Sequence, residues 1–123
     1  MIYTCSKGFT LIELLATLTI ISILTLIAIP KYQDYKARSY DMQARIDLRS
    51  IAIAEEAYYF DSEHYLACTN SSCSDLPGIN RLSKGVEANV ELATETDFIA
   101  QTWHTRGTGK KFVWNSLEGG PQS

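Results

Sequence analysis

The sequence predicts an α+β fold, a long N-terminal α-helix packed on a small antiparallel β-sheet of three to four strands. Three observations carry that expectation. An apolar run, Phe9 to Ile29, leads through Pro30 into Lys31 to Phe60, a stretch rich in helix formers that lacks Gly and Pro. After Gly85 the spacing of apolar residues drops to two, the period of a strand with one buried face. Between them lies Asp61 to Gly85, polar and turn-rich, with Pro77-Gly78 as a strong breaker.

The apolar run contains one charged residue, Glu13, and is long enough to meet the requirement of about 20 residues for a helix crossing a bilayer. A secretory signal would have a shorter apolar stretch and a small-residue cleavage site, whereas this run ends Ile27-Ala28-Ile29-Pro30 and flows into a polar helical pattern. The helix is therefore expected to be retained. Lys7 just ahead of it favours a cytoplasmic N-terminus, with everything after Pro30 across the membrane.

Residues 31–60 should continue the helix, bent at Pro30, where a ring replaces an N–H. At about 100° per residue, Met42, Ile46, Ile53, Ala57 and Phe60 share one side. Ala37, Ala44, Leu48, Ile51, Ala52, Tyr58 and Tyr59 gather on the other. A helix apolar on two faces needs two partners, its own sheet and a neighbouring helix. Charges such as Lys36, Arg38, Arg45, Asp47 and Arg49 are read mostly as solvated or rim groups.

In the loop, 61–85, Cys68 and Cys73 bracket four polar residues, and outside the cytoplasm such a pair forms a local disulfide. A metal site of Cys68, Cys73 and His64 is the competing reading and lacks a fourth ligand. Asn70-Ser71-Ser72 matches a glycosylation sequon, and equally a plain solvated loop. The sheet is assigned to 86–117: Val86 to Leu92, Asp97 to Thr105 and Lys110 to Asn115, joined by short turns into a meander. Residues 118–123 read as a flexible tail.

Function is bounded by what is missing. With 123 residues, a net charge of −3 and no basic run, the chain is one small domain and not a phosphate-backbone binder, which argues against nucleic acid as the primary partner. His64 and His104 are isolated, and neither a nucleophile motif nor a phosphate loop is present. Asp61 and Glu63 beside His64 make no spacing that requires acid–base chemistry. The expectation is no enzyme, no cofactor and no metal.

The N-terminus carries a resemblance. The short polar leader MIYTCSKG ends in Lys7-Gly8, Phe9 follows, Thr10-Leu11-Ile12-Glu13 comes next, and Pro30 closes the apolar run; together these resemble the prepilin signature of type IV pilins, type IVa in leader length and in Phe9. The resemblance implies that a membrane-embedded prepilin peptidase removes residues 1–8 between Gly8 and Phe9 and N-methylates Phe9. It also implies a type IV pilin-like fold, with 9–30 as the transmembrane and filament-core half of the helix and 31–60 as its amphipathic half. The chain would then be extracted from the inner membrane by pilus assembly machinery and would polymerise with itself, serving adhesion, twitching motility or DNA uptake as an extracellular filament. Glu13 fits that scheme physically. A carboxylate at bilayer depth costs about 2.5 kcal/mol or more and seeks a cation, and cleavage before Phe9 creates an α-amine, mostly protonated at neutral pH, that could meet the Glu13 of a neighbour. The competing readings are a pseudopilin of a type II secretion system and an uncleaved single-pass binding protein. Major pseudopilins often carry a C-terminal calcium loop, and after Gly107 this chain has a single acid, Glu118.

Overall fold

The structure, a computed structural model, describes residues 7–122. Residues 1–6, which hold most of the expected leader and Cys5, and Ser123 lie outside the described residues. Helix α1 runs Leu11–Ser62, followed by β1 (Cys68–Thr69), a short 3-10 helix (Asn70–Asp75), β2 (Val86–Thr94), β3 (Asp97–His104), β4 (Phe112–Asn115) and β5 (Gly120–Gln122). The five strands form one antiparallel sheet in chain order. The chain separates into two compact units, divided after Asp34.

The first unit is the N-terminal part of α1. Pro30 lies inside the helix, and the described residues as far as Asp34 are all exposed. Its hydroxyls turn back onto the helix backbone: Thr17 donates to the Leu14 carbonyl, Thr19 to Leu15, Ser22 to Leu18 and Thr25 to Ser22, at 2.7 to 2.9 Å. Such local bonds satisfy polar groups that hydrocarbon could not.

The second unit begins at Tyr35 and holds the core. One face of α1 buries Ala44, Leu48, Ile51 and Ala52 against Ala88 and Val90 of β2 and Phe98 and Ala100 of β3. Its opposite face leaves Met42, Ile46, Ile53 and Phe60 exposed, the two-faced pattern expected from the sequence. The helix stops after Ser62 because Glu63 takes the left-handed conformation (φ 59°) and gives its N–H to the Tyr59 carbonyl, closing the last turn. Alternation is regular in β3, where Phe98, Ala100, Thr102 and His104 face inward. Thr102 bridges helix to sheet, its hydroxyl donating to the Ala44 carbonyl at 2.7 Å.

The sheet is larger than the sequence suggests, and the difference lies at its two edges. Cys68 and Thr69, assigned to the loop, pair with Val90 and Asn89. The tail read as flexible forms β5, with Gly120, Pro121 and Gln122 opposite Asn115, Trp114 and Val113. Gly119, at φ 74°, reverses the chain and bonds the Ser116 carbonyl, and the open edge of β4 supplies the partner. Glycine-rich composition signals freedom in an isolated chain but not the edge waiting to take it up.

Candidate functional site

The N-terminal end of α1 is built around Glu13. Thr10 precedes the helix, and its N–H and hydroxyl both donate to Glu13 Oε2, at 2.8 and 2.9 Å. The Glu13 N–H in turn bonds the Thr10 hydroxyl at 3.3 Å. This reciprocal arrangement is a capping box, and its signature, Thr-x-x-Glu ahead of an apolar run, was legible in the sequence as a second role for the same acid. Both side-chain bonds fall on Oε2, and a carboxylate has further acceptor sites on its other oxygen. Phe9, 90% exposed, sits just outside the helix, and a side chain at Gly8 would meet nothing within 4 Å. The carboxylate therefore lies beside the expected cleavage bond in an open segment.

Behind it, as far as Ile29, α1 carries no further charge, and the helix is long enough and apolar enough to cross a membrane. An exposed surface of Leu, Ile and Ala this extensive needs lipid or another protein around it.

The remaining sequence candidates separate. Cys68 and Cys73 form a disulfide, with Cα atoms 5.0 Å apart, so their sulfurs are not metal ligands. His64 is exposed, its Nδ1 2.7 Å from the Ser62 carbonyl and its ring edge-on to Tyr58. His104 is buried and fixed: its Nδ1 accepts from the Arg106 N–H at 2.9 Å, so the other nitrogen, Nε2, carries the hydrogen it gives to the Lys84 carbonyl at 3.1 Å, while its ring stacks on Tyr40.

Three acids on α1 do work that a reading as solvated groups missed. Asp41 accepts from the N–H and hydroxyl of Thr108, and Asp47 from the N–H and hydroxyl of Ser83. A side chain at Gly107 would collide with Asp41 Oδ1, so only glycine lets that connection approach. Glu55 is fully buried; its Oε2 accepts from the Leu66 N–H at 3.0 Å, and its Oε1 has no partner among the described residues. Burial pushes its carboxyl up to about 7, the Leu66 bond opposing and Glu56 adding to the rise. Burial likewise lifts the Tyr65 hydroxyl, which donates to Glu56, to about 12. Spacing on a helix does not reveal which acids a later loop will reach, so these clamps had no local signal.

Residues 4–29 match the family described as a prokaryotic N-terminal methylation motif. Over 95% of the chain it is 32% identical to a type IV major pilin protein, PilE1, of Neisseria gonorrhoeae, covering 73% of that relative. A fimbrial protein of Pseudomonas aeruginosa is 41% identical over 50% of the chain and 40% of its own length. The type IV major pilin protein PilA of Myxococcus xanthus is 37% identical over 49% of the chain, which there spans only 27% of the relative. The chain belongs to the type IV pilin family. It is a pilus subunit, a structural protein rather than an enzyme, with a membrane-anchored precursor and assembly into a filament.

Proposed function

We propose that this chain is the subunit of a surface filament built from processed copies of itself. Residues 1–8 act as a leader, prepilin peptidase cuts between Gly8 and Phe9, and the new Phe9 amine is methylated. The precursor waits in the inner membrane with its N-terminus in the cytoplasm and its sheet in the periplasm, and assembly machinery lifts it into an extracellular pilus used for adhesion, twitching motility or DNA uptake. In the filament the apolar segment, residues 9–30, exchanges lipid for the same segment of its neighbours, with Pro30 as the bend, and Glu13 of one copy takes the Phe9 amine of another.

The observation that carries this reading is the single acid of the apolar segment, Glu13, held four residues from the Gly8–Phe9 bond in a part of the chain that is exposed throughout. Its present partners are neutral Thr10 groups, so an ammonium arriving from outside would gain a charge-assisted bond in a low-dielectric setting. Mass spectrometry of the mature chain tests it, with an N-terminus at methylated Phe9 expected and an intact Met1 sinking the proposal. Gly8→Leu should yield unprocessed precursor and bare cells under the electron microscope.

A further inference from the structure

The turns of the sheet in the unit beginning at Tyr35 carry exposed charge of opposite sign at the sheet's two ends, while further exposed charges lie along the helix and the loop after it. Strand register defines the two ends: Val86 pairs with His104 at one end and Thr94 with Asp97 at the other, about 25 Å apart at roughly 3.3 Å per residue. Lys84 leads into β2 at the first end, and Arg106, Lys110 and Lys111 occupy the β3–β4 connection there; all four are exposed. From Phe98 to Leu117 the chain has no Asp or Glu. Of the acids nearby, Asp41 is buried and bound to Thr108, and half-buried Glu87 stands opposite Trp103. Two of the cations are positioned by aromatic rings, Arg106 at 4.6 Å over Tyr40 and Lys111 at 4.7 Å over Trp103.

The far end is the reverse. Glu91 lies in the later half of β2, opposite Ile99, and Glu95 lies in the β2–β3 turn, with Glu118 in the β4–β5 turn on the same side of the sheet. All three are exposed, and neither 91–97 nor 115–120 contains a Lys or Arg. The helix follows the same direction, since Tyr40 stacks on His104 at the basic end and Tyr65, just past the helix, meets Phe98 at the acidic end.

We propose that the two ends meet between copies: the basic end of one subunit seats on the acidic end of the next, a head-to-tail contact that rests on the filament reading above. Opposite charges at opposite ends favour copies pointing the same way and penalise inverted pairs, in which like ends would face each other. A contact between two different surfaces of one chain repeats without closing and so generates an open helical assembly. The contact sorts copies by orientation while apolar helices supply the burial.

The test uses cells making the full chain, with sheared fibre protein as the measure. Reversal of one end, Arg106→Glu with Lys110→Glu and Lys111→Glu, or Glu91→Lys with Glu95→Lys and Glu118→Lys, should lower fibre yield about tenfold or more, since like charges are then brought face to face. All six together should restore it to within about threefold of the parent, because complementarity returns with its sign exchanged. Every substituted side chain is exposed, and rescue by the sixfold swap would exclude misfolding as the cause of loss. Fibres indifferent to both single-end reversals, or a sixfold swap no better than either, overturn the inference alone. Loss of binding to phosphatidylglycerol vesicles by the basic-end variant, with fibres unchanged, would assign that end to lipid and overturn it as well. An absence of fibres from the parent chain overturns the filament reading and this contact with it.

Discussion

The two halves of α1 solve opposite problems with one continuous helix. Before Asp34 every described residue is exposed and most are apolar; after it, one face is buried to the last methyl at Ala44 and Ile51 while the other is left open. The later half finds its partner within its own chain, through the sheet and the clamps at Asp41, Asp47 and Glu55. The earlier half has no such partner among the described residues. A helix in that condition is incomplete as a solvated object, so its stability must come from whatever surrounds it.

The contrast can be broken at four places. The largest effect should follow Glu13→Ala, which removes a costly charge from the apolar half: membrane insertion should persist or improve, fibre yield should fall to near nothing, and normal fibres by microscopy would make the acid a bystander. Phe98→Ala strikes the self-sufficient half, where a fully buried ring contacts Tyr65; a loss of about 3–5 kcal/mol in domain stability is expected by denaturant titration.

Glu55→Gln should change the shape of the stability profile. The Glu55 carboxyl is raised from 4.5 to about 7, so the folded state holds its proton more tightly. That contribution is complete below about pH 4.5 and is lost as pH rises through 7, on the order of 2–3 kcal/mol across the window. The Gln variant should show a flatter melting-temperature profile over that range, and an unchanged slope would place the titration elsewhere. The smallest effect belongs to Thr10→Ala, which deletes the cap but not the acid: faster amide exchange in the first turn, about 1 kcal/mol of local stability, and fibres still made.

These effects also mark what was legible beforehand. The membrane-length run, the two-faced helix and the strands β2, β3 and β4 were written in local spacing, which periodicity reads directly. Glu13 was visible as an anomaly, a charge in the wrong solvent that needs a cation, and the cation expected for it, the Phe9 amine, came from the resemblance to prepilins. The capping box with Thr10 was equally visible and was overlooked because the anomaly had one explanation already. What stayed hidden depended on distant partners. Asp47 and Arg45 both read from the sequence as solvated or rim charges, yet Asp47 takes the Ser83 N–H while Arg45 lies 5.5 Å over Phe112. The fifth strand was hidden for the same reason, since Gly120 to Gln122 become a strand only against β4.

That fifth strand has a consequence for life in a crowd. An open sheet edge invites a neighbour's backbone, and a protein stacked in long rows presents such an edge at very high local concentration. Here one rim is the two-residue β1, and the other is the three-residue β5, whose central Pro121, opposite Trp114, has no N–H to offer a stranger. Copies can be packed side by side without zipping into cross-β, which leaves the order of the array to helices and surface charge.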